Sequence, residues 1–384
     1  MESLICALNK SNLISHGGEE GKIKNYKLYS DKIYEMYFDS NYEKKFTKYQ
    51  DIDKCHIGFK GSNPTLKRKT KKMKVCAKIN SIKDLIRLTY NYPLSHHITY
   101  DINIGGIHKI RDELLELDAF IGLDTLKENL IDQLIYFMYE NGDDYLHTVL
   151  YGPPGTGKTE IAKILGKIYT KLGILKNGTF IKVTRSDFVA GYLGQTALKT
   201  RKLIEDNLGG VIFIDEAYAM GNEEKQDSFS KEALDTLCEL LSDHKNEIMV
   251  IIAGYRKELN TCFFNYNPGL ISRFAWQFEI SEYSPLQLHK IFCKKVTDSG
   301  WRIAENVGGE EWFTEHIDYF KNYGRDIENL LSKSKICYYR RIFGTQKNTK
   351  KIEIVDLTNG FKKYKQFSGG KNNKKESSPN FMYT

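Results

Sequence analysis

One glycine-rich turn constrains this chain more than any other feature. Residues 146–151, Leu-His-Thr-Val-Leu-Tyr, read as a buried strand, and they run directly into Gly152-Pro153-Pro154-Gly155-Thr156-Gly157-Lys158-Thr159. Beyond the turn, Ile161, Ile164, Leu165 and Ile168 recur at the spacing of an amphipathic helical stripe. Strand, glycine turn and helix in that order are the context in which the G-x-x-x-x-G-K-T pattern cradles phosphate. Glycines let the backbone curl so that successive N–H groups face phosphate oxygens, and the helix adds the positive end of its dipole. On this reading residues Gly152 to Thr159 hold ATP, Lys158 reaches the β- and γ-phosphates, and the Thr159 hydroxyl coordinates Mg²⁺.

A second signal lies 57 residues beyond Lys158. Val211-Ile212-Phe213-Ile214 is an apolar strand that ends in Asp215-Glu216. In an open α/β sheet, groups at the carboxyl end of a strand face the crevice where ligands bind. Asp215 is therefore expected to hold the metal, directly or through water, and Glu216 to polarise an attacking water. Two further strands are expected at Thr179–Val183 and Ile248–Ala253, with helical patterns around 195–207 and 228–242. Alternating strand and helix predicts a mostly parallel sheet covered on both faces. After about residue 285 only helical patterns remain, around 285–297, 310–322 and 325–342.

The 384 residues thus divide into a basic N-terminal region of mixed character (1–112), an α/β core (113–284), a helical lid (285–367) and a polar tail (368–384) expected to be disordered. Charge follows the same divisions. Residues 1–112 carry a net +9, residues 113–331 a net −11 and residues 332–384 a net +10. Basic ends can attract nucleic acid or acidic protein, and the run Lys67–Lys74 reads as a solvated loop, a nucleic-acid patch or a nuclear-import signal. No apolar stretch reaches the roughly 18 residues of a membrane-spanning helix. Seven scattered cysteines form no C-x-x-C pair, and Cys55-His56 and His96-His97 lack a second ligand pair, so neither a disulfide framework nor a zinc site is expected. Scattered reduced thiols place the chain inside the cell, in the cytoplasm, with nuclear import left open.

Several collinear motifs make the comparison more specific. They are Ile121-Gly122-Leu123, the phosphate loop, Arg185-Ser186-Asp187-Phe188 and Gly191-Tyr192-Leu193-Gly194-Gln195-Thr196-Ala197. Further on come Gly209-Gly210-Val211 through Glu216-Ala217-Tyr218, Ile252-Ala253-Gly254-Tyr255, Asn267-Pro268-Gly269-Leu270-Ile271-Ser272-Arg273 and Gly324-Arg325-Asp326. From Ile121 to Arg325 the chain resembles the AAA+ ATPases of the CbbX/CfxQ and stage V sporulation protein K type, the former being the red-type rubisco activases.

That resemblance implies an α/β P-loop AAA+ core with a C-terminal helical lid, and it assigns roles by position. Ile121 and Gly122 would line the adenine pocket, and Tyr192 would be the aromatic residue of a loop lining a central pore. Arg273 would reach into the ATP site of a neighbouring subunit, and Arg325 would be the lid arginine that senses the γ-phosphate. It also implies a homo-oligomeric ring, a hexamer, that remodels a protein substrate. A nucleic-acid-stimulated motor using the basic flanks is the alternative, and a nucleotide-gated scaffold without turnover has no need of Glu216. One departure stands out. Many AAA+ proteins end the fourth core strand with an Asn, whereas Ala253-Gly254-Tyr255-Arg256 has none. Asn267 and Arg256 are the candidates for its role, with neither assigned.

Overall fold

The computed structural model describes residues 71–367, apart from 140–143, 193, 222–226, 306 and 345–347. The N-terminal region's mixed character, with its short β-prone runs Lys27–Tyr29 and Ile33–Phe38, and the tail from Ser368 lie outside the described residues. All described residues belong to one compact unit that begins at Arg68.

Five strands make the central sheet: β1 (Thr148–Tyr151), β2 (Phe180–Val183), β3 (Val211–Ile214), β4 (Met249–Gly254) and β5 (Trp276–Glu279). Every pairing is parallel, in the order β2-β3-β4-β1-β5. Strands β1, β3 and β4 are buried along their whole length, as continuous apolar runs in a doubly covered sheet must be. Register sets the functional end. Tyr151 pairs with Gly254 and Ile214 with Ile252, so the residues that follow β1, β3 and β4 emerge side by side.

Strand β5 is the one the sequence does not announce. Trp-Gln-Phe-Glu alternates polar and apolar residues on the sheet edge next to β1, and only Phe278 is fully buried. It lacks the apolar run that marks β1, β3 and β4.

The helix after the glycine turn, α2 (Lys158–Leu172), follows α1 (Asp124–Tyr139) in the chain. Ile161, Ile164, Leu165 and Ile168 of α2 are each at most 1% exposed, as their spacing requires. Gly173 ends α2 in the left-handed region, a conformation that favours glycine at a helix C-terminus. Next come α3 (Thr196–Glu205) and α4 (Ser228–Asp243), the latter capped by the Asp227 carboxylate on the N–H groups of Phe229 and Ser230. Upstream, the short helices Ile104–Lys109 and Arg111–Asp118 pack against α2, and Glu113 and Glu116 pair with Lys171 and Lys167. Part of the lysine run is ordered: Lys71–Met73 pairs in parallel with Ile98–Tyr100 and is a strand, not a loop.

The lid contains α5 (Pro285–Asp298), α6 (Tyr323–Ile342) and α7 (Ile354–Phe367). The expectation of helices alone is corrected here, because Arg302–Ile303 and Lys351–Ile352 form a two-stranded parallel ladder. The pattern at 310–322 also resolves into a short helix, Glu310–Glu315, and a single tight turn, Ile317–Tyr319. Helices α6 and α7 are fastened by Arg341, whose Nε and Nη2 donate to Asp356 Oδ1 and Oδ2 at 2.9 and 2.8 Å.

That fork has a measurable consequence. Asp356 is 1% exposed and loses its guanidinium in Arg341→Ala, whereas Arg341 itself is 35% exposed, so the cost falls below that of a fully buried pair. Urea unfolding should show a loss of roughly 1–3 kcal/mol with an unchanged m-value. An Arg341→Ala midpoint equal to that of the parent would show that the fork contributes nothing.

Candidate functional site

The turn after β1 is shaped by three glycines with positive φ: Gly152 (155°), Gly155 (77°) and Gly157 (91°). At Gly155 the requirement is absolute, since a Cβ there would lie 1.9 Å from the Asn322 carbonyl oxygen. The Thr156 hydroxyl donates to Pro153 O at 2.8 Å and braces the loop, while Pro153, Pro154 and Thr159 are half-buried. Gly157 precedes α2 without a side chain to cap it, which leaves the first-turn N–H groups free of side-chain capping from that residue.

Lys158 is buried, and its Nζ donates to Gly152 O and Pro153 O at 2.7 and 2.9 Å. Burial lowers its pKa, the carboxylates of Glu216 and Asp215 push the other way, and Arg325 lowers it further. Those causes define one electrostatic neighbourhood containing four of the residues expected at the site. The lid joins it by direct contact. Gly324 N donates to Gly155 O at 3.0 Å, and Tyr283, at the end of the core just before the lid, donates its hydroxyl to Thr156 O at 3.1 Å. Arg325 is the next residue after that docking bond, and its side chain is exposed.

Asp215 and Glu216 leave β3 in different environments. Asp215 accepts from Lys182 Nζ, on β2, at 2.7 Å. Glu216 has φ 54° and ψ 45°, the left-handed region that costs a side-chain-bearing residue about 1–3 kcal/mol. Its Oε2 is buried and has no hydrogen-bond partner among the described residues. Burial first, then the nearby Glu216 carboxylate, push the Tyr218 phenol well above its usual range. Tyr255, which follows β4, is close enough to Glu216 for the carboxylate, after burial, to raise its pKa too.

The metal expectation can be tested on donor chemistry. No group of three or more His, Cys, Asp or Glu forms a metal cage among the described residues. Thr159 and Asp215 supply one hydroxyl and one carboxylate, a sparse hard-oxygen set. Such a set suits Mg²⁺, which retains waters and takes its remaining ligands from substrate phosphates. The donors fit that ion and would not satisfy zinc.

Ile121 and Gly122 are half-buried in a segment pinned between the phosphate loop and the lid. Lys294 of α5 donates to Ala119 O at 2.8 Å, and Lys127 donates to Phe120 O at 2.7 Å. A Cβ on Gly157 would touch the Phe120 ring at 3.2 Å, and one on Gly122 would meet the Gln287 side chain at 2.6 Å. The segment therefore stands where the base of a bound nucleotide could be enclosed.

Arg273 is not brought to this cluster. Its Nε donates to Cys238 O and Ser242 Oγ of α4 at 3.1 and 2.8 Å, and its Nη1 to Gly269 O at 2.7 Å. Nearby His147 is fully buried and held down to about 4, chiefly by burial, with the Arg273 charge contributing. Tyr192 stands apart as well, 74% exposed between Gly191 and Gly194, neither of which has a neighbour that a Cβ would touch. The candidates for the missing Asn are otherwise engaged. Asn267 donates to Asp235 and accepts from Gly269 N, while Arg256 lies over the Tyr151 ring and pairs with Glu279. Tyr218 and Tyr255 entered the sequence reading only as members of the collinear motifs, without a role, and Lys182 and Tyr283 escaped it because a lone Lys or Tyr carries no pattern until the fold assembles its neighbours.

Comparison with known proteins agrees with this geometry. Residues 148–282 match the family model described as the ATPase family associated with various cellular activities. The chain is 39% identical over 279 residues to a putative cfxQ-like protein of Acanthamoeba polyphaga mimivirus, covering 71% of this chain and 68% of the relative. It is 34% identical to stage V sporulation protein K of Bacillus subtilis, covering 57% and 72% of the two chains. With a chloroplastic ribulose bisphosphate carboxylase/oxygenase activase of Cyanidioschyzon merolae it shares 29% identity over 67% of this chain and 86% of the relative. A phosphate loop docked on a helical lid, paired carboxylates after β3 and these relatives together place the chain among the CbbX/CfxQ-type AAA+ ATPases, as an enzyme that binds and hydrolyses ATP.

Proposed function

We propose that the chain uses Mg²⁺-dependent ATP hydrolysis, in a ring of identical subunits, to remodel a protein partner. The observation that carries this reading is the exposed Tyr192. An exposed aromatic side chain flanked by glycines with open space around them offers a large amphipathic grip at low entropic cost, without regard to the sequence it holds. No helix among the described residues is long and apolar enough to cross a membrane.

In this mechanism the loop from Gly152 to Thr159 binds the phosphates, with Lys158 as countercharge, and residues 119–122 with α5 enclose the base. Thr159 and Asp215 would hold Mg²⁺, which when bound neutralises charge on the β- and γ-phosphates. Glu216 accepts a proton from the water that attacks the γ-phosphorus, the bond to the β-bridging oxygen breaks, and ADP carries that electron pair away. Arg325 is supplied by the lid of the same subunit. Arg273, anchored on α4 outside the electrostatic cluster of its own site, is the residue a neighbouring copy would receive. The ribulose bisphosphate carboxylase/oxygenase activases among the relatives are named for their partner, and a shared fold does not carry that partner over to this chain.

Three tests follow from this reading. Lys158→Ala should abolish ATP binding, whereas Glu216→Gln should bind ATP and cleave it at least about a hundredfold more slowly. Equal nucleotide affinity in Lys158→Ala and parent, by fluorescent-nucleotide titration, would sink the loop assignment. Arg273→Ala should bind ATP normally and turn over about 10³-fold more slowly. Mixing Arg273→Ala with Lys158→Ala subunits should restore part of the rate through interfaces with one intact loop and one intact arginine. A mixture as inactive as its components would mean that Arg273 does not act between subunits. Finally, Tyr192→Ala should keep basal hydrolysis and lose its stimulation by a protein substrate. Stimulation by DNA or RNA that is steep in salt, survives Tyr192→Ala and vanishes without residues 1–112 would favour a nucleic-acid motor instead.

A further inference from the structure

Four hydrogen bonds hold the guanidinium of Arg273 within its own subunit. A guanidinium carries five N–H donors in one rigid plane. Its single Nε–H is shared between Cys238 O at 3.1 Å and Ser242 Oγ at 2.8 Å. Nη1 donates to Gly269 O at 2.7 Å and to Ser272 Oγ at 3.2 Å. Nη2 has no partner among the described residues, and it is not one of the polar atoms sealed in the interior. The plane is therefore clamped along one edge, and both uncommitted donors sit together on the open nitrogen.

The seat is itself fixed. Ser242 lies in the last turn of α4, and its hydroxyl donates to Cys238 O at 3.1 Å, which leaves its lone pairs for Nε. That turn is the negative end of the helix dipole, where a cation is favoured. Opposite it, Gly269 N donates to Asn267 Oδ1 at 2.9 Å and Asn267 Nδ2 to Asp235 Oδ1 at 2.9 Å, so the Gly269 segment is tied back to α4 as well. The packing is close, since a Cβ on Gly269 would stand 3.2 Å from Nη1 and 3.1 Å from Cys238 Sγ. Cys238 and Gly269 contribute backbone carbonyls that any residue would supply. Ser242 is the one side chain that holds Nε.

We propose that Ser242 is the positioning residue for Arg273, holding Nε so that the two N–H groups of Nη2 are aimed out of the subunit at the phosphates bound by a neighbouring copy. Phosphoryl transfer spreads charge over equatorial oxygens, and a guanidinium already in place stabilises it without first having to become ordered. Ser242 takes no part in the chemistry itself; it acts through Arg273. The inference rests on the reading of Arg273 as an arginine that acts between subunits.

The test is steady-state ATP hydrolysis by the full chain. Ser242→Ala should lower kcat about tenfold, a part of the roughly 10³–10⁵-fold that a delivered arginine supplies, while KM for ATP and the melting temperature stay near those of the parent. The double variant Ser242→Ala/Arg273→Ala should be no slower than Arg273→Ala alone, because a seat without its arginine has nothing left to position. Adding inactive Lys158→Ala subunits to Ser242→Ala should raise the rate per intact phosphate loop, since they bring a correctly seated arginine to the neighbouring site. A purely structural defect in Ser242→Ala would not respond to them. Parent-like kcat in Ser242→Ala, a full further tenfold loss in the double variant, or no gain on mixing would each overturn the proposal. Arg273→Ala separates the two levels. If it turns over like the parent, or stays inactive when mixed with Lys158→Ala, the reading of Arg273 has failed and takes the seat with it. If it is slow and restored by mixing while Ser242→Ala is normal, only the role of Ser242 has failed.

Discussion

Gly152 N donates to Gly254 O at 3.1 Å, and this one bond carries the parallel ladder between β1 and β4 past the last paired residues. It fixes where the phosphate loop begins relative to the strand ends around it. Because β4 is also in register with β3, the start of the loop, Glu216 and Tyr255 leave the sheet at one level. On the other side Ile280 N donates to Tyr151 O at 2.8 Å, and a Cβ on Gly152 would strike Ile280 O at 2.9 Å. The loop has its freedom to curl only because the strands on both sides deny it freedom of position.

Docking of the lid uses the same economy. Asp326, buried at the start of α6, accepts from Asn322 N at 2.7 Å and holds the preceding turn in place. Within that turn Tyr323 is at φ 42°, and the next N–H reaches Gly155 O. Burial first, then the nearby Glu282 carboxylate, raise the Tyr323 phenol to about 12. Arg325 is thus presented to the site by backbone bonds rather than by packing of its own side chain. That arrangement suits the phosphate-responsive role proposed for Arg325.

How much of this was legible beforehand depended on whether a residue's role was local. The glycine turn, the carboxylates at the end of β3 and the stripe of α2 could be read because each is a pattern within a few residues. Strand β5 could not, because an edge strand exposes every second residue and loses the apolar run that marks its neighbours. The ladder between Arg302–Ile303 and Lys351–Ile352 was hidden for another reason, since two-residue pairings separated by almost fifty positions leave no periodicity. The pairing of Asp215 with Lys182 is a contact made by tertiary register, invisible to any window of sequence.

Helix α4 shows why the residues outside the cluster still belong to the same machine. At its N-terminal end Asp227 pairs with Arg185, and Glu232 Oε1 accepts from Ala197 N at 3.2 Å, so both flanks of the Tyr192 segment are tied to it. At its C-terminal end Cys238 O and Ser242 Oγ seat Arg273. Leu234, Leu237, Leu240 and Leu241 between them are fully buried, which ties the helix to the core of the sheet. Close-packed interiors transmit displacement rather than absorb it. A shift of α4 large enough to release the Arg273 guanidinium must therefore also disturb the bonds that flank Tyr192. Two groups that touch neither each other nor Lys158 are in this way held to one rigid element, and that element packs on the sheet whose strand ends carry Glu216.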